Sequence, residues 1–474
     1  MTLKTTQYVP DSSPVTRQAS GGWVHAFILL QFTFQILLLF PQFGVLRVPM
    51  RVAPFALSLV LLVWLRGRGP KHPATGPAIW VLGLMALSFC LNPSLNSVFA
   101  GIAQCAMYAA ILGPLFWVKR LQITPKGFER LIFLLWAFHT VSATFGVLQV
   151  YFPGQFQPYI STAIQNSAYG LDALQIKLAD GTLVPRPMGL TDIPGGAATA
   201  GFYALLLGVG IALRDRNLIL RLACIGSAAV GLFCIYLCQV RSILIFAGIC
   251  LVCLAVVLLR QGKFGRVTLM LVGVTALIVA TFTWAATIGG GSTVDRITSL
   301  VRDRPDAVYY QHRGRFLEQT FNVLLPQYPL GAGLGRWGMM NSYFGNNSNS
   351  LSQPIWVEIQ WTGWLLDGGV PLIIAYVAAL IQACLSAWQI AMSRQLGDFR
   401  LWGGLIFAYN IGAFALTFNY PLFISQGGME FWLLNTALLV AAHHSWTEQS
   451  EALSWMPQSL SQEQDDEILP ANNG

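Results

Sequence analysis

Residues 219–259 read ILRLACIGSAAVGLFCIYLCQVRSILIFAGICLVCLAVVLL, two apolar runs parted only at Gln239 to Arg241. A helix that spans lipid needs roughly 20 mostly apolar residues, and this stretch supplies two in succession with a tight turn between them. That is the pattern of a transmembrane hairpin. Working outward from it, further runs of the same kind lie near 24–41, 52–66, 78–93, 97–117, 131–152, 194–213, 267–288, 370–391, 400–418 and 427–444. The expected fold is therefore all-α, a polytopic membrane protein with about 12 transmembrane helices.

Composition agrees. Of 474 residues 55% are hydrophobic and 10% charged, which would leave a soluble domain with far too much apolar surface. The net charge of +8 comes from basic residues scattered singly between apolar runs, not gathered into a stripe, and this excludes a nucleic-acid partner. The eight cysteines fall inside or at the ends of the apolar runs, where a thiol behaves as a small hydrophobe. Neither a disulfide framework, a metal site nor a cofactor is expected, since no Cys or His cluster lies in a loop.

Lysine and arginine set the expected orientation, because short cytoplasmic connections retain positive charge. Arg66, Arg68 and Lys71 mark one such connection, and Lys119, Arg120, Lys126 and Arg130 the next. Arg214, Arg216 and Arg221, then Arg260, Lys263 and Arg266, then Arg394 and Arg400, mark the others; only Arg47 and Arg51 run against the pattern. The organisation expected is a cytoplasmic N-terminal segment 1–23, a transmembrane domain 24–446 and a disordered acidic cytoplasmic tail 447–474. The segment before Trp23 lacks a cleavage pattern, so the first run is expected to stay as an anchor. Two long connections, 153–193 and 289–369, face outward, and structureless loops of that length are uncommon unless they carry function.

The candidate chemistry sits in those outward segments. The loop 289–369 carries Arg296, Arg302, Arg304, Arg313, Arg315 and Arg336, with His312 among them and no lysine. Guanidinium grips phosphoryl oxygens through two parallel hydrogen bonds and keeps its charge. Pairing with Asp295, Asp303, Asp306 and Glu318 on a solvated face competes with that role, and is favoured for Arg296, Arg302 and Arg304, which have acids beside them. Arg241 opens an apolar helix after a tight outward turn; a functional role and simple snorkelling explain it equally well. Arg186, in PRPMGLTDIPGG, would bring another guanidinium to the same face.

The stretch from Pro354 to Trp388 is too long for one span and should bend at Gly368, Gly369 and Pro371. It would leave IWVEIQWTGWLLD as a short amphipathic outer helix bearing Glu358 and Asp367. Trp356, Trp361 and Trp364 around Glu358 suit a general base in an apolar setting. An interfacial aromatic belt with an incidental acid accounts for the same residues, and composition alone favours it. The apolar runs themselves are almost free of charge, His139 in the fifth being the nearest exception, read as packed neutral in the bundle. No internal repeat or matched pair of broken helices argues for a transporter.

The stretch HRGRFLEQTFNVLLPQYPLGAGLGRWG is similar to the outward-loop signature of the O-antigen ligase and Wzy-type polysaccharide polymerase superfamily. There an Arg, here Arg315, opens a helix that leads to a Pro-Leu/Phe-Gly-x-Gly-x-Gly turn, here Pro329 to Gly335. EIQWTGWLLDGGVP resembles the family's paired-residue and acid-Gly segment, with Glu358-Ile359 at the pair and Asp367-Gly368 at the turn. QVRSILIFAG and RPMGLTDIPGGAATAG resemble its upstream arginine segments, and the ordered set covers about residues 180–390.

The resemblance implies a GT-C-like, metal-independent inverting glycosyltransferase of the bacterial inner membrane, working at its periplasmic face. Its substrates would be polyprenyl-pyrophosphate-linked oligosaccharide donor and acceptor among membrane lipids, with chain-length regulator and export proteins as further partners. Arg186, Arg241 and Arg315 would bind the pyrophosphate leaving group and Glu358 would accept the acceptor proton; Arg313, His312, Arg336 and Asp367 would help bind substrate. Glu358 stands where lipopolysaccharide ligases have His, and Ile359 where the family has Asn. The departure points to a polymerase of exopolysaccharide or O-antigen repeats, ahead of a ligase that uses a lipid A core or protein acceptor. A transporter or flippase of an anionic lipid or solute is the reading from another class.

Overall fold

The computed structural model describes residues 19–158, 174–191, 193–302, 307, 309–346, 348 and 352–454. Each of the apolar runs coincides with a helix. In chain order these are α1 (Gly22–Leu37), α2 (Arg47–Trp64), α3 (Thr75–Leu91), α4 (Val98–Leu112), α5 (Pro125–Tyr151) and α6 (Ala197–Arg214). There follow α7 (Leu218–Cys238), α8 (Arg241–Arg260), α9 (Phe264–Arg302), α10 (Gln360–Met392), α11 (Arg400–Leu416) and α12 (Gln426–Ser454). Among the described residues eight helices are long and apolar enough to cross a membrane; α4 and its continuation Pro114–Arg120, bent by 44°, make a ninth if taken as one span. Helices α1 and α3 are apolar but shorter. The chain is thus a largely helical, multi-pass membrane protein.

Strand structure is confined to two small pairs among the described residues. β1 (Ala19–Ser20) lies parallel to β2 (Leu121–Gln122), and β3 (Gln175–Lys177) forms an antiparallel hairpin with β4 (Leu183–Pro185).

Lipid tails are as apolar as leucine, so helices in a bilayer associate by close packing of small residues. Helices α6 and α7 meet at Gly201 and Gly231, where a Cβ on either would lie 2.5 or 2.4 Å from the other's carbonyl oxygen. Helices α8 and α11 run antiparallel: Gly404 abuts Val257 and Leu254, and Gly412 abuts Cys250 and Phe246. Continuing that register sets Phe418 level with Arg241, and fixes which side chains share one end of the bundle. The end reached by the connections 153–193 and 289–369 is called the long-loop face below.

In the connection between α2 and α3 the His72 ring is buried, its Nδ1 accepting from the Ala74 amide at 3.1 Å. Burial pushes its pKa down to about 3, against an unfolded value near 6.5. The folded state therefore refuses a proton that the unfolded chain takes up below about pH 6.5, and stability drains away as pH falls through that window, by up to about 1.4 kcal/mol per pH unit. Melting of the purified protein at pH 7 and pH 5 should show this loss, and His72→Gln should flatten it.

Candidate functional site

Two groups of predicted residues gather at the long-loop face. The first starts at the hairpin β3–β4, which ends beside Arg186; the Arg186 amide donates to the Leu174 carbonyl at 2.7 Å. The next turn is clamped to α5 by Gln149, whose Oε1 accepts from the amides of Met188 and Gly189 at 2.8 and 2.9 Å. Gly189 has φ +64°, and a Cβ there would meet the Ser142 carbonyl at 2.7 Å, so the Arg-x-x-Gly spacing is a packing requirement. The α7–α8 turn holds Gln239 in the left-handed region at φ 56°, the sole non-glycine residue with positive φ among those described.

That turn is tied to α9, which breaks at Gly290 (φ 57°, ψ −151°) under the hairpin. Gln239 Nε2 donates to Thr293 Oγ1 and Ser292 Oγ at 3.1 and 3.2 Å, and its carbonyl accepts from Arg296 Nε at 3.0 Å. Arg241 donates to Ser299 Oγ at 2.9 Å. Cys238 Sγ donates to the Pro187 carbonyl at 3.8 Å, which sets the Arg186 segment against the same turn, so three cations from three segments gather around it; burial first, and then the charges of Arg186 and Arg241, pull the Arg296 pKa down. Arg186 Nε is buried and has no hydrogen-bond partner among the described residues. Partial burial also pulls the Arg186 pKa below its ordinary value, the nearby Cys238 thiol opposing the shift. Such an arrangement is relieved by an anion.

Arg296 was expected to pair with its neighbouring acid. It does not, because consecutive helical residues point to different sides; Asp295 is exposed while Arg296 turns in toward Gln239. Arg302 is exposed. Asp303, Arg304, Asp306, residues 1–18 and the tail from 455 lie outside the described residues, as does the side chain of His312.

The second group is built on the helical stretch Tyr310–Gln327, which opens into wide π turns at Tyr310–Gly314 and Thr320–Leu324. Tyr309 Oη donates to the Phe418 carbonyl at 3.2 Å, which puts this stretch at the end of α11 and level with Arg241. Arg313 forms an ion pair with Glu358, and Trp356 Nε1 donates to the other carboxylate oxygen at 2.8 Å. Glu358 was expected on an amphipathic helix. Helix α10 instead begins at Gln360, and the Ile355 amide pairs with the Arg336 carbonyl at 2.7 Å, holding the preceding segment extended. Ile355 and Val357 pack inward on Leu324, Ala332 and Trp337, while Trp356 and Glu358 share the opposite side.

The remaining predicted residues are placed as follows. Arg315 is exposed, with its guanidinium 4.9 Å from the Phe316 ring centroid, and is not among the charges that act on Arg296. Arg336 is buried and donates to the carbonyls of Gln353 (3.0 Å) and Ala332 (2.9 Å), a clamp on the loop. Asp367 is fully buried; its carboxylate accepts from Tyr108 Oη, Trp337 Nε1 and Gln104 Nε2 at 2.7, 2.8 and 2.9 Å, which joins α10 to α4 and the outer loop. The expected bend in α10 falls at Gly369 (φ 67°).

The glycine turn at 329–335 rests on the same framework. Gly333 has φ +97°, and a Cβ there would lie 2.2 Å from the Ser94 carbonyl. Gly333→Ala should therefore cost several kcal/mol, of order 3 or more, whereas Gly248→Ala, with open space around it, should be nearly neutral. Thermal melts of the two variants side by side check this.

Sequence reasoning also missed Glu430, buried in α12, which accepts from Tyr203 Oη at 3.2 Å. A lone acid inside an apolar run was a visible signal. No family model matches this sequence, and no curated protein matches it.

Proposed function

We propose that this protein is a membrane glycosyltransferase that polymerises polyprenyl-pyrophosphate-linked oligosaccharide repeats. The long-loop face would be periplasmic, both termini cytoplasmic, and the membrane the bacterial inner one. All twelve apolar helices would then cross, with α1 and α3 as short spans. The observation that carries the proposal is the gathering of Arg186, Arg241 and Arg296 around the α7–α8 turn at one end of the bundle. Three guanidiniums at headgroup height suit a diphosphate whose lipid tail lies among the helices. Arg296 takes the third position that sequence resemblance gave to Arg315.

In the step proposed, an acceptor hydroxyl oxygen attacks the anomeric carbon of the donor from the face opposite the diphosphate. The bond from that carbon to the phosphate oxygen breaks, and its electron pair leaves with the lipid diphosphate. Glu358, a carboxylate in its ion pair with Arg313, takes the hydroxyl proton. The arginines stabilise charge that develops on the leaving group, the term that usually dominates such reactions. Trp356 and Arg313 orient the carboxylate, the role the family gives to Asn.

Purified protein given one polyprenyl-diphosphate repeat unit should produce a ladder of longer chains. Transfer seen only after a lipid A core acceptor is added would make it a ligase instead. Transbilayer movement of the intact lipid with no new glycosidic bond would favour a flippase, a second reading supported by the ionisable Glu430 and His139 inside the bundle.

A further inference from the structure

Helices α1 and α12 are pinned together at the long-loop face, where Gln35 Nε2 donates to Gln426 Oε1 at 2.8 Å. Residues four apart on a helix lie on one side, one above the other. One turn deeper into the bundle, the same register brings Gln31 of α1 level with Glu430 of α12. Gln31 is fully buried, and neither its amide nitrogen nor its oxygen has a hydrogen-bond partner.

Glu430 Oε2 accepts from Tyr203 Oη at 3.2 Å, and the Tyr203 and Tyr409 hydroxyls lie 2.9 Å apart. The His139 ring stacks on the Tyr203 ring, with centroids 4.4 Å apart and planes 14° apart, and touches Phe32, the neighbour of Gln31, edge-on. His139 is 7% exposed, and neither of its ring nitrogens has a partner. Four helices thus bring together a carboxylate, two phenols and an imidazole in the apolar interior, Gln31 of a fifth lies at the same depth, and four buried polar atoms of Gln31 and His139 are unanswered among the described residues. Native interiors rarely leave such atoms without a water or an ion, and an ionised carboxylate at this depth needs a positive charge.

No described lysine or arginine supplies that charge. His25 of α1 is spent on the Gly127 carbonyl. Lys119, Arg120, His443 and His444 lie toward the other end of the bundle.

We infer that Gln31, His139, Tyr203, Tyr409 and Glu430 form a binding site for one monovalent cation, Na+ or H+, inside the bundle. The oxygen donors of Glu430, Gln31 and the phenols suit Na+; the carboxylate and imidazole suit a proton. The inference is independent of the sugar-transfer reading. Its consequence is that occupancy sets the charge between α1, α6, α11 and α12, and so their packing.

The test uses the full chain in lipid nanodiscs. Saturable binding of radioactive Na+ in a sodium-free organic-cation buffer, weakened at least about tenfold in Glu430→Gln and less in Tyr203→Phe, would identify Na+. Absence of Na+ binding, with a protonated-carboxyl infrared band present at neutral pH and missing in Glu430→Gln, would identify the proton. If Glu430→Gln does not fold, Glu430→Asp should shift that band and Gln31→Leu should weaken Na+ binding. Wild-type protein with neither saturable Na+ binding nor a band sensitive to Glu430 would overturn the inference.

Discussion

Arg296→Ala is expected to slow chain growth by about 10²–10³-fold, the usual cost of removing one preorganised group that stabilises a leaving charge. Arg296→Lys should recover little of this, because an ammonium cannot reproduce the planar fork. Both are measured as the rate at which the product ladder lengthens. Arg296 also holds the Gln239 carbonyl, so a purely structural residue would instead lower the melting temperature and leave the rate per folded molecule unchanged. Saturating donor separates the two cases. Loss concentrated in kcat assigns Arg296 to the leaving group, and a near-normal kcat restricts it to holding the turn.

Glu358→Gln is the second large effect. Removing a positioned general base costs typically about 10²–10⁴-fold, and the loss should fall on the chemical step while donor binding, which belongs to the arginine group, persists. Glu358→Asp should restore part of the rate, since the carboxylate is kept and only its reach changes. Because Glu358 is paired with Arg313 and bonded to Trp356, the glutamine variant also removes that ion pair from Arg313. The double variant Glu358→Gln/Arg313→Leu should therefore be no faster than the single one, though it should be easier to purify. Unchanged turnover in Glu358→Gln removes it as the base.

How far these residues were legible before the structure depended on the range of the interactions that place them. Spanning helices are local: a run such as 241–259 carries its own signal, and helix formation follows wherever lipid leaves the backbone no other partner. The bend at Gly369 was equally local, written in Gly368, Gly369 and Pro371. Arg241 could be nominated because it opens an apolar run, and Arg186 because it comes a few residues before the Gly-rich entry into one. Arg296 was misjudged for a geometric reason, since adjacency in sequence to Asp295 is not adjacency on a helix.

Glu358 was placed on a helix although Ile355, Val357 and Ile359 alternate with Trp356 and Glu358, the period of an extended chain. The deciding bond, from the Ile355 amide to the Arg336 carbonyl, is long-range and invisible in a window of sequence. Asp367 shows the same limit from the other side. Its three hydrogen-bond donors come from Gln104, Tyr108 and Trp337, and nothing near Asp367 in the chain announces them.

The central claim is that Arg186, Arg241 and Arg296 together hold a diphosphate, and calorimetric titration of inorganic pyrophosphate into the full chain in neutral-lipid nanodiscs tests it most directly. Saturable, salt-sensitive binding is expected, weakened about tenfold or more by alanine at any one of the three positions. Wild-type protein that takes up no pyrophosphate, or three single variants that all bind it as tightly as wild type, would contradict the account.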